Sequence, residues 1–290
     1  MIDKHGGNMD DNSSTLVSTG WLSYNLKNPN IRIIDASWYL PGMNRDAKAE
    51  YENSHIPGAR FFDIDEICDL RVKLPHMAPT PEKFISRIRG MGIGDSHQIV
   101  IYDGAGLFSA ARVWWLFKLM GKKDVSVLDG GFPKWIKEGH PQDNQQITLR
   151  DKHFTANFTE ALVKNVTQVS EASKLGNHTI LDARDSDRFK GKAEEPRAGL
   201  RAGHIPGSTN LYYKELLNDD GTMKSKDSLR SLFKKARIDH EKPIITTCGS
   251  GVTATIISLA LEIIGHKNHS VYDGSWTEWG QFDQLPVEVG

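Results

Sequence analysis

The sequence predicts an α/β protein of two tandem domains, each a mostly parallel sheet flanked by helices. Length, an internal repeat and the alternation of short β-rich runs with helical patterns carry that prediction. At 290 residues the chain exceeds the size at which one hydrophobic core usually stops growing, and 38% hydrophobic content is enough for two. Ile33-Ile34-Asp35-Ala36 recurs as Ile180-Leu181-Asp182-Ala183, and His55-Ile56-Pro57-Gly58-Ala59 as His204-Ile205-Pro206-Gly207-Ser208. Further on, Leu128-Asp129-Gly130-Gly131 with Trp135 answers Tyr272-Asp273-Gly274-Ser275 with Trp279. Three matches in the same order at nearly constant spacing mark a duplication, which sets domain count and strand order together.

In the first copy, apolar runs closed by turn residues predict strands from Ile31 to Asp35, Gln98 to Asp103 and Val125 to Leu128. In the second they run from Thr179 to Asp182, Pro243 to Thr247 and Ser270 to Asp273. Helices fit Pro81 to Met91, Ser109 to Met120, Val166 to Lys174, Ser225 to Ala236 and Thr253 to Ile264, with Gly92, Gly121 and Gly265 where helices stop. Strands alternating with helices give a mostly parallel sheet covered by helices. The polar stretch from Gly139 to Val163 reads as a linker. The expected organisation is a tail over 1–14, a first domain over 15–145, a linker over 146–163 and a second domain over 164–290. The tail carries Asp3, Asp10 and Asp11, no Arg and no apolar block, so it reads as disordered rather than as a targeting peptide.

Lys plus Arg (36) nearly balance Asp plus Glu (37), so no global field draws the protein to nucleic acid or to a membrane surface. The longest apolar stretch, about a dozen residues after Cys248, is too short to span a bilayer. Two cysteines, Cys68 and Cys248, argue against a disulfide-stapled secreted scaffold and for a reducing compartment, the cytoplasm. No metal is expected, because the histidines do not cluster with thiolates; His266 and His269 lie three apart with none nearby.

One cysteine sits where chemistry is expected. Pro243 to Thr247 leads into Cys248-Gly249-Ser250-Gly251-Val252-Thr253-Ala254 and then into an apolar helix. The glycines allow positive φ and close approach, successive backbone N–H groups can face the sulfur, and a helix N-terminus adds partial positive charge. Such a site favours a thiolate and a persulfide anion. A free cysteine is more often a small buried hydrophobe, and Cys68 in Ile67-Cys68-Asp69, outside any such turn, is read that way. The strand-to-helix turn argues otherwise for Cys248.

With this loop, the doubled His-Ile-Pro-Gly segments and the run Asp273-Gly274-Ser275-Trp276-Thr277-Glu278-Trp279, the sequence resembles the tandem-rhodanese sulfurtransferases from Val17 to Val287. The loop is most similar to that of the 3-mercaptopyruvate-using members; thiosulfate-preferring relatives carry basic residues after the cysteine. Thiosulfate is a small dianion whose charge must be met beside the thiolate, whereas Gly249 and Ser250 bring none. The resemblance implies two rhodanese-like domains, the first catalytically inactive because Asp103-Gly104-Ala105-Gly106 stands where the second has its cysteine loop. It implies sulfur transfer from 3-mercaptopyruvate through a Cys248 persulfide to thioredoxin, a small thiol or cyanide, with release of pyruvate and no cofactor, in a site at the domain interface. Arg188 and Arg197 are then expected on the donor's carboxylate and keto oxygen, Gly249, Gly251, Val252 and Thr253 around the sulfur, and Ser250 with Asp63 and His76 in a proton relay.

Other residues read as structural. Arg184 is expected to pair with a carboxylate inside its domain. His55, His204, Asp35, Asp182, Trp135 and Trp279 occur in both copies and therefore serve the fold. Fusion of two copies supplies the interface a homodimer would provide, so a monomer is expected. The alternatives are a thiosulfate:cyanide transferase and a non-enzymatic sulfur carrier. The short turn, which puts Ala254 where a charge is wanted, argues against a cysteine phosphatase, the nearest enzymatic rival.

Overall fold

The computed structural model describes residues 15–238 and 241–290; the expected tail over 1–14 lies outside them. The strands are β1 (Leu16–Val17), β2 (Ile31–Asp35), β3 (Ala59–Phe61), β4 (Gln98–Tyr102), β5 (Val125–Leu128), β6 (Val163–Lys164), β7 (Thr179–Asp182), β8 (Thr209–Asn210), β9 (Ile244–Thr247) and β10 (His269–Tyr272). They form two five-stranded sheets of the same order, β1-β5-β4-β2-β3 and β6-β10-β9-β7-β8, with every paired strand parallel. The central strands read as continuous apolar runs because helices cover both faces of a parallel sheet. Ile99 to Tyr102 and all of β9 are accordingly buried. The α-helices are α1 (Thr19–Asn25), α2 (Ala47–Asn53), α3 (Pro81–Gly90), α4 (Ala110–Leu119), α5 (Gly131–Lys137), α6 (Val166–Leu175), α7 (Ser186–Phe189), α8 (Lys226–Lys235), α9 (Ala254–Ile264) and α10 (Ser275–Trp279). None is long and apolar enough to cross a membrane.

Two compact units follow, and neither is continuous in sequence. Among the described residues the first comprises 15–67, 79–158 and 219–223; the second comprises 68–78, 159–218, 224–238 and 241–290. Each thus incorporates a short segment from the opposite half of the chain, and the repeated Asp-Gly turn holds it. Asp129 accepts the Met223 N–H at 2.7 Å in the first unit, and Asp273 accepts the Ala78 N–H at 2.7 Å in the second.

Residues shared by the two copies pack alike. The His55 ring stacks on Tyr51 with Nδ1 2.7 Å from the Tyr51 carbonyl, and the His204 ring stacks on Phe189 with Nδ1 2.8 Å from the Phe189 carbonyl. Each histidine's main chain also pairs antiparallel, with Asp143 and Glu288 respectively. Trp135 and Trp279 are fully buried and donate their indole N–H to the carbonyls of Pro141 and Pro286. The histidines and tryptophans are therefore fold determinants, as the duplication implies. Gly92, Gly121 and Gly265 adopt positive φ after α3, α4 and α9.

Candidate functional site

Cys248 follows β9 directly, 2% exposed, and the loop it opens feeds α9. Gly251 has φ +77°, a conformation that favours glycine. Gly249 does not adopt positive φ. Its missing side chain matters for another reason, since a Cβ there would lie 3.0 Å from Nη2 of Arg188. Glycine at 249 thus lets a guanidinium approach the loop more closely than a side chain there would. Val252 is buried, and its carbonyl accepts the Thr255 hydroxyl at 2.6 Å; Thr253 caps α9 with its main chain. Ser250 is buried two residues beyond the cysteine.

The turn after β10 holds this loop from behind. The Cys248 N–H donates to Ser275 Oγ at 3.3 Å, and Ser275 Oγ donates to the Tyr272 carbonyl at 2.8 Å. Trp276 N–H donates to the Cys248 carbonyl at 2.9 Å and Thr277 N–H to the Gly249 carbonyl at 2.8 Å. Ser275 has φ +49°, a left-handed conformation that costs a non-glycine residue about 1–2 kcal/mol.

The arginines separate by environment. Arg184 is fully buried, bonds Asp182 through Nε and Nη2, reaches Glu195 at 2.7 Å and the Gly203 carbonyl at 2.8 Å, and lies over the Trp276 ring. This is the intradomain pairing expected of it. Arg188 sits on α7, whose N-cap Asp185 accepts the Arg188 N–H, and keeps 21% of its side chain exposed beside the cysteine loop. Glu195, with a side chain 2% exposed, bonds Arg188 Nη2 at 2.6 Å and so ties the exposed guanidinium to the buried one. Arg201 donates to the carbonyls of Trp279, Gly280, Phe282 and Leu285, closing the C-terminal end of α10. Arg197 lies half-buried in the bend after Pro196.

The remaining expected residues fall in different units. His76 belongs to the second, buried at φ +61° two residues before Ala78, whose N–H is held by Asp273. Asp63 belongs to the first, where its Oδ1 accepts the N–H groups of Asp65 and Glu66 in a local turn. Cys68 is buried. Glu195, Ser275 and Thr277 went unrecognised in the sequence. The change from Gly131 to Ser275 and from Pro133 to Thr277 between otherwise matching turns is the signal that marks the last two.

The family model for a rhodanese-like domain matches residues 18–138 and 165–282. The chain is 41% identical to 3-mercaptopyruvate sulfurtransferase of Escherichia coli (strain K12) over 94% of its length and 97% of the relative's. Identity is 39% with the Homo sapiens 3-mercaptopyruvate sulfurtransferase, covering 91% of each chain, and 41% with Cricetulus griseus thiosulfate sulfurtransferase, covering 94% of each. The crystal structure of SseA from Escherichia coli, described with the rhodanese fold of 3-mercaptopyruvate sulfotransferases, matches with a TM-score of 0.83 at 39% identity, over 90% of this chain and 98% of that one.

Proposed function

The chain belongs to the rhodanese family, with two copies of the domain in tandem, and on that premise we propose the following reaction at Cys248. The protein is a 3-mercaptopyruvate sulfurtransferase. The Cys248 thiolate attacks the donor sulfur, the carbon–sulfur bond breaks, and its electron pair leaves on carbon as the enolate of pyruvate, which takes up a proton. The outer sulfur stays on Cys248 as a persulfide, stabilised by the loop's N–H groups. A thiolate acceptor, thioredoxin or a small thiol, then attacks that sulfur and restores Cys248, giving ping-pong kinetics. Arg188, beside the loop and oriented by Glu195, holds the donor's carboxylate with Arg197; Ser250 and His76 serve the proton transfer. The part proposed for Asp63 rests on the family resemblance alone. The first domain is catalytically inactive, the protein is a monomer, and the reaction belongs to a reducing compartment, the cytoplasm.

One observation carries the choice of donor. Relatives named for thiosulfate and for 3-mercaptopyruvate are equally similar, yet the loop after Cys248 places uncharged Gly249 and Ser250 beside the sulfur, with Arg188 as the neighbouring cation. Uncharged residues directly after the cysteine, with guanidinium groups supplied from outside the loop, suit a donor whose carboxylate is several bonds from its sulfur better than a compact dianion. Steady-state kinetics with both donors test this: kcat/KM for 3-mercaptopyruvate should exceed that for thiosulfate at least about tenfold, a 1.4 kcal/mol preference. Equal or reversed efficiencies would make this a thiosulfate enzyme, and binding of sulfur without turnover would make it a carrier.

A further inference from the structure

The internal repeat makes one half of the molecule a control for the other. After β4 and β9 the chain turns alike: Phe132 N–H donates to the Asp103 carbonyl at 3.0 Å, and Trp276 N–H to the Cys248 carbonyl at 2.9 Å. Turn 130–134 therefore aligns with turn 274–278, and Pro133 falls opposite Thr277. Proline has no N–H to offer, and among the described residues the Gly104 carbonyl takes long contacts of 3.4 and 3.5 Å from Arg45. The matching carbonyl, of Gly249, accepts both the N–H of Thr277 at 2.8 Å and its hydroxyl at 2.6 Å.

That carbonyl belongs to the same planar trans peptide as the Ser250 N–H, so holding the oxygen against α10 sends the N–H the opposite way. In the first unit the matching N–H, of Ala105, donates at 2.9 Å to the carboxylate of Asp103, which stands where the cysteine side chain stands in the second. The carboxylate marks where an anion sits in this loop and itself holds the peptide in orientation. Cys248 provides no anion until it ionises or carries sulfur, and Gly249 leaves rotation of its flanking peptides cheap. A flipped Gly249–Ser250 peptide would turn a carbonyl oxygen toward an anionic sulfur.

We infer that Thr277 is a positioning residue: by filling both lone pairs of the Gly249 carbonyl it locks the Gly249–Ser250 peptide with its N–H toward the seat of the sulfur anion before charge develops. This rests on reading Cys248 as the sulfur carrier, so the deciding readout is taken on the thiol itself, without a donor. Thr277→Val keeps shape and main chain and removes the hydroxyl; Thr277→Ala removes it without crowding; Thr277→Ser retains it. Iodoacetamide labelling of Cys248 in each full-length variant, followed across pH by peptide mass mapping so that Cys68 does not contribute, gives the readout. Thr277→Val and Thr277→Ala should slow labelling near neutral pH about fivefold and move the profile to higher pH, the effect of one hydrogen bond. Thr277→Ser should lie within about twofold of the parent, and kcat should follow the labelling rate while KM barely moves. Profiles for the hydroxyl-free variants that superimpose on the parent's, or a serine variant as slow as they are, overturn the inference. Residual turnover in Cys248→Ser would instead sink the reading of the site, leaving the labelling comparison intact.

Discussion

After β4 the chain presents Asp103, whose carboxylate is fully buried and accepts N–H bonds from Ala105, Phe108 and Ala110 at 2.7–2.9 Å. After β9 the same position holds Cys248, and the loop to the helix is one residue shorter. In the first unit a side chain at position 131 would meet the carbonyls of Gly106 and Asp103 at 2.4 and 2.6 Å, so glycine is required. In the second, the matching position is Ser275, buried at φ +49° with its hydroxyl accepting the Cys248 N–H. The difference teaches what the scaffold offers: a strand-to-helix turn that, in the first unit, gathers N–H groups around one side chain. Filled by a carboxylate the turn is held by its own N–H groups; filled by a cysteine it is the place where the proposed reaction carries sulfur.

A second contrast lies one strand over, where Asp35 and Asp182 match but Ser37 stands opposite Arg184. Asp182 is neutralised by the buried Arg184, while Asp35 has the Ser37 N–H at 2.9 Å. Copying the first unit into the second with Arg184→Ser should therefore cost most, about 3–5 kcal/mol, because Asp182 and Glu195 lose a buried cation. Chemical denaturation of the variant measures it, and a loss below about 1 kcal/mol would break the contrast.

Next comes a pH dependence centred on Asp35 in the first unit. Burial raises the Asp35 carboxyl to about 6, so the folded protein holds that proton more tightly than the unfolded chain. Its contribution is fully present below the ordinary aspartate value near 3.9 and is lost as pH rises to about 6, roughly 3 kcal/mol across the window. Burial also raises Asp103, which acts in the same direction. Asp35→Asn should flatten the fall in unfolding free energy between about pH 4 and 6 without abolishing it; an unchanged slope would contradict the assignment. The smallest effect expected is that of Asp103→Ala, about 2 kcal/mol, since three stranded N–H groups are partly offset by relief of a buried charge. Thermal unfolding checks it, and a neutral result would show that the carboxylate does not hold the loop.

The central strands were legible because a parallel sheet buries both faces, and β2, β5 and β7 have their expected limits. The edge strands β1, β6 and β8, of two residues each, and β3, of three, are too short to show any pattern. Exchange of segments 68–78 and 219–223 was invisible, since nothing local says which half of the chain a loop packs against. In the site, the cysteine loop announces itself by residue type, whereas Arg188 was expected only because the resemblance implies it; residue type alone reads it as a surface charge. Glu195 does not announce itself, because its two arginine partners are seven and eleven residues away through a loop of no regular period. Ser275 and Thr277 were hidden by the rule that repeated motifs serve the fold; the Asp-Gly turn does serve it, and the residues that changed within it hold the cysteine.

The central claim is that Cys248 alone in this chain takes up sulfur. Intact mass spectrometry after incubation with 3-mercaptopyruvate tests it directly: the parent protein should gain about one sulfur mass, lost on reduction, and Cys248→Ser should gain none. A parent of unchanged mass, or a Cys248→Ser variant that still gains the sulfur, would contradict it.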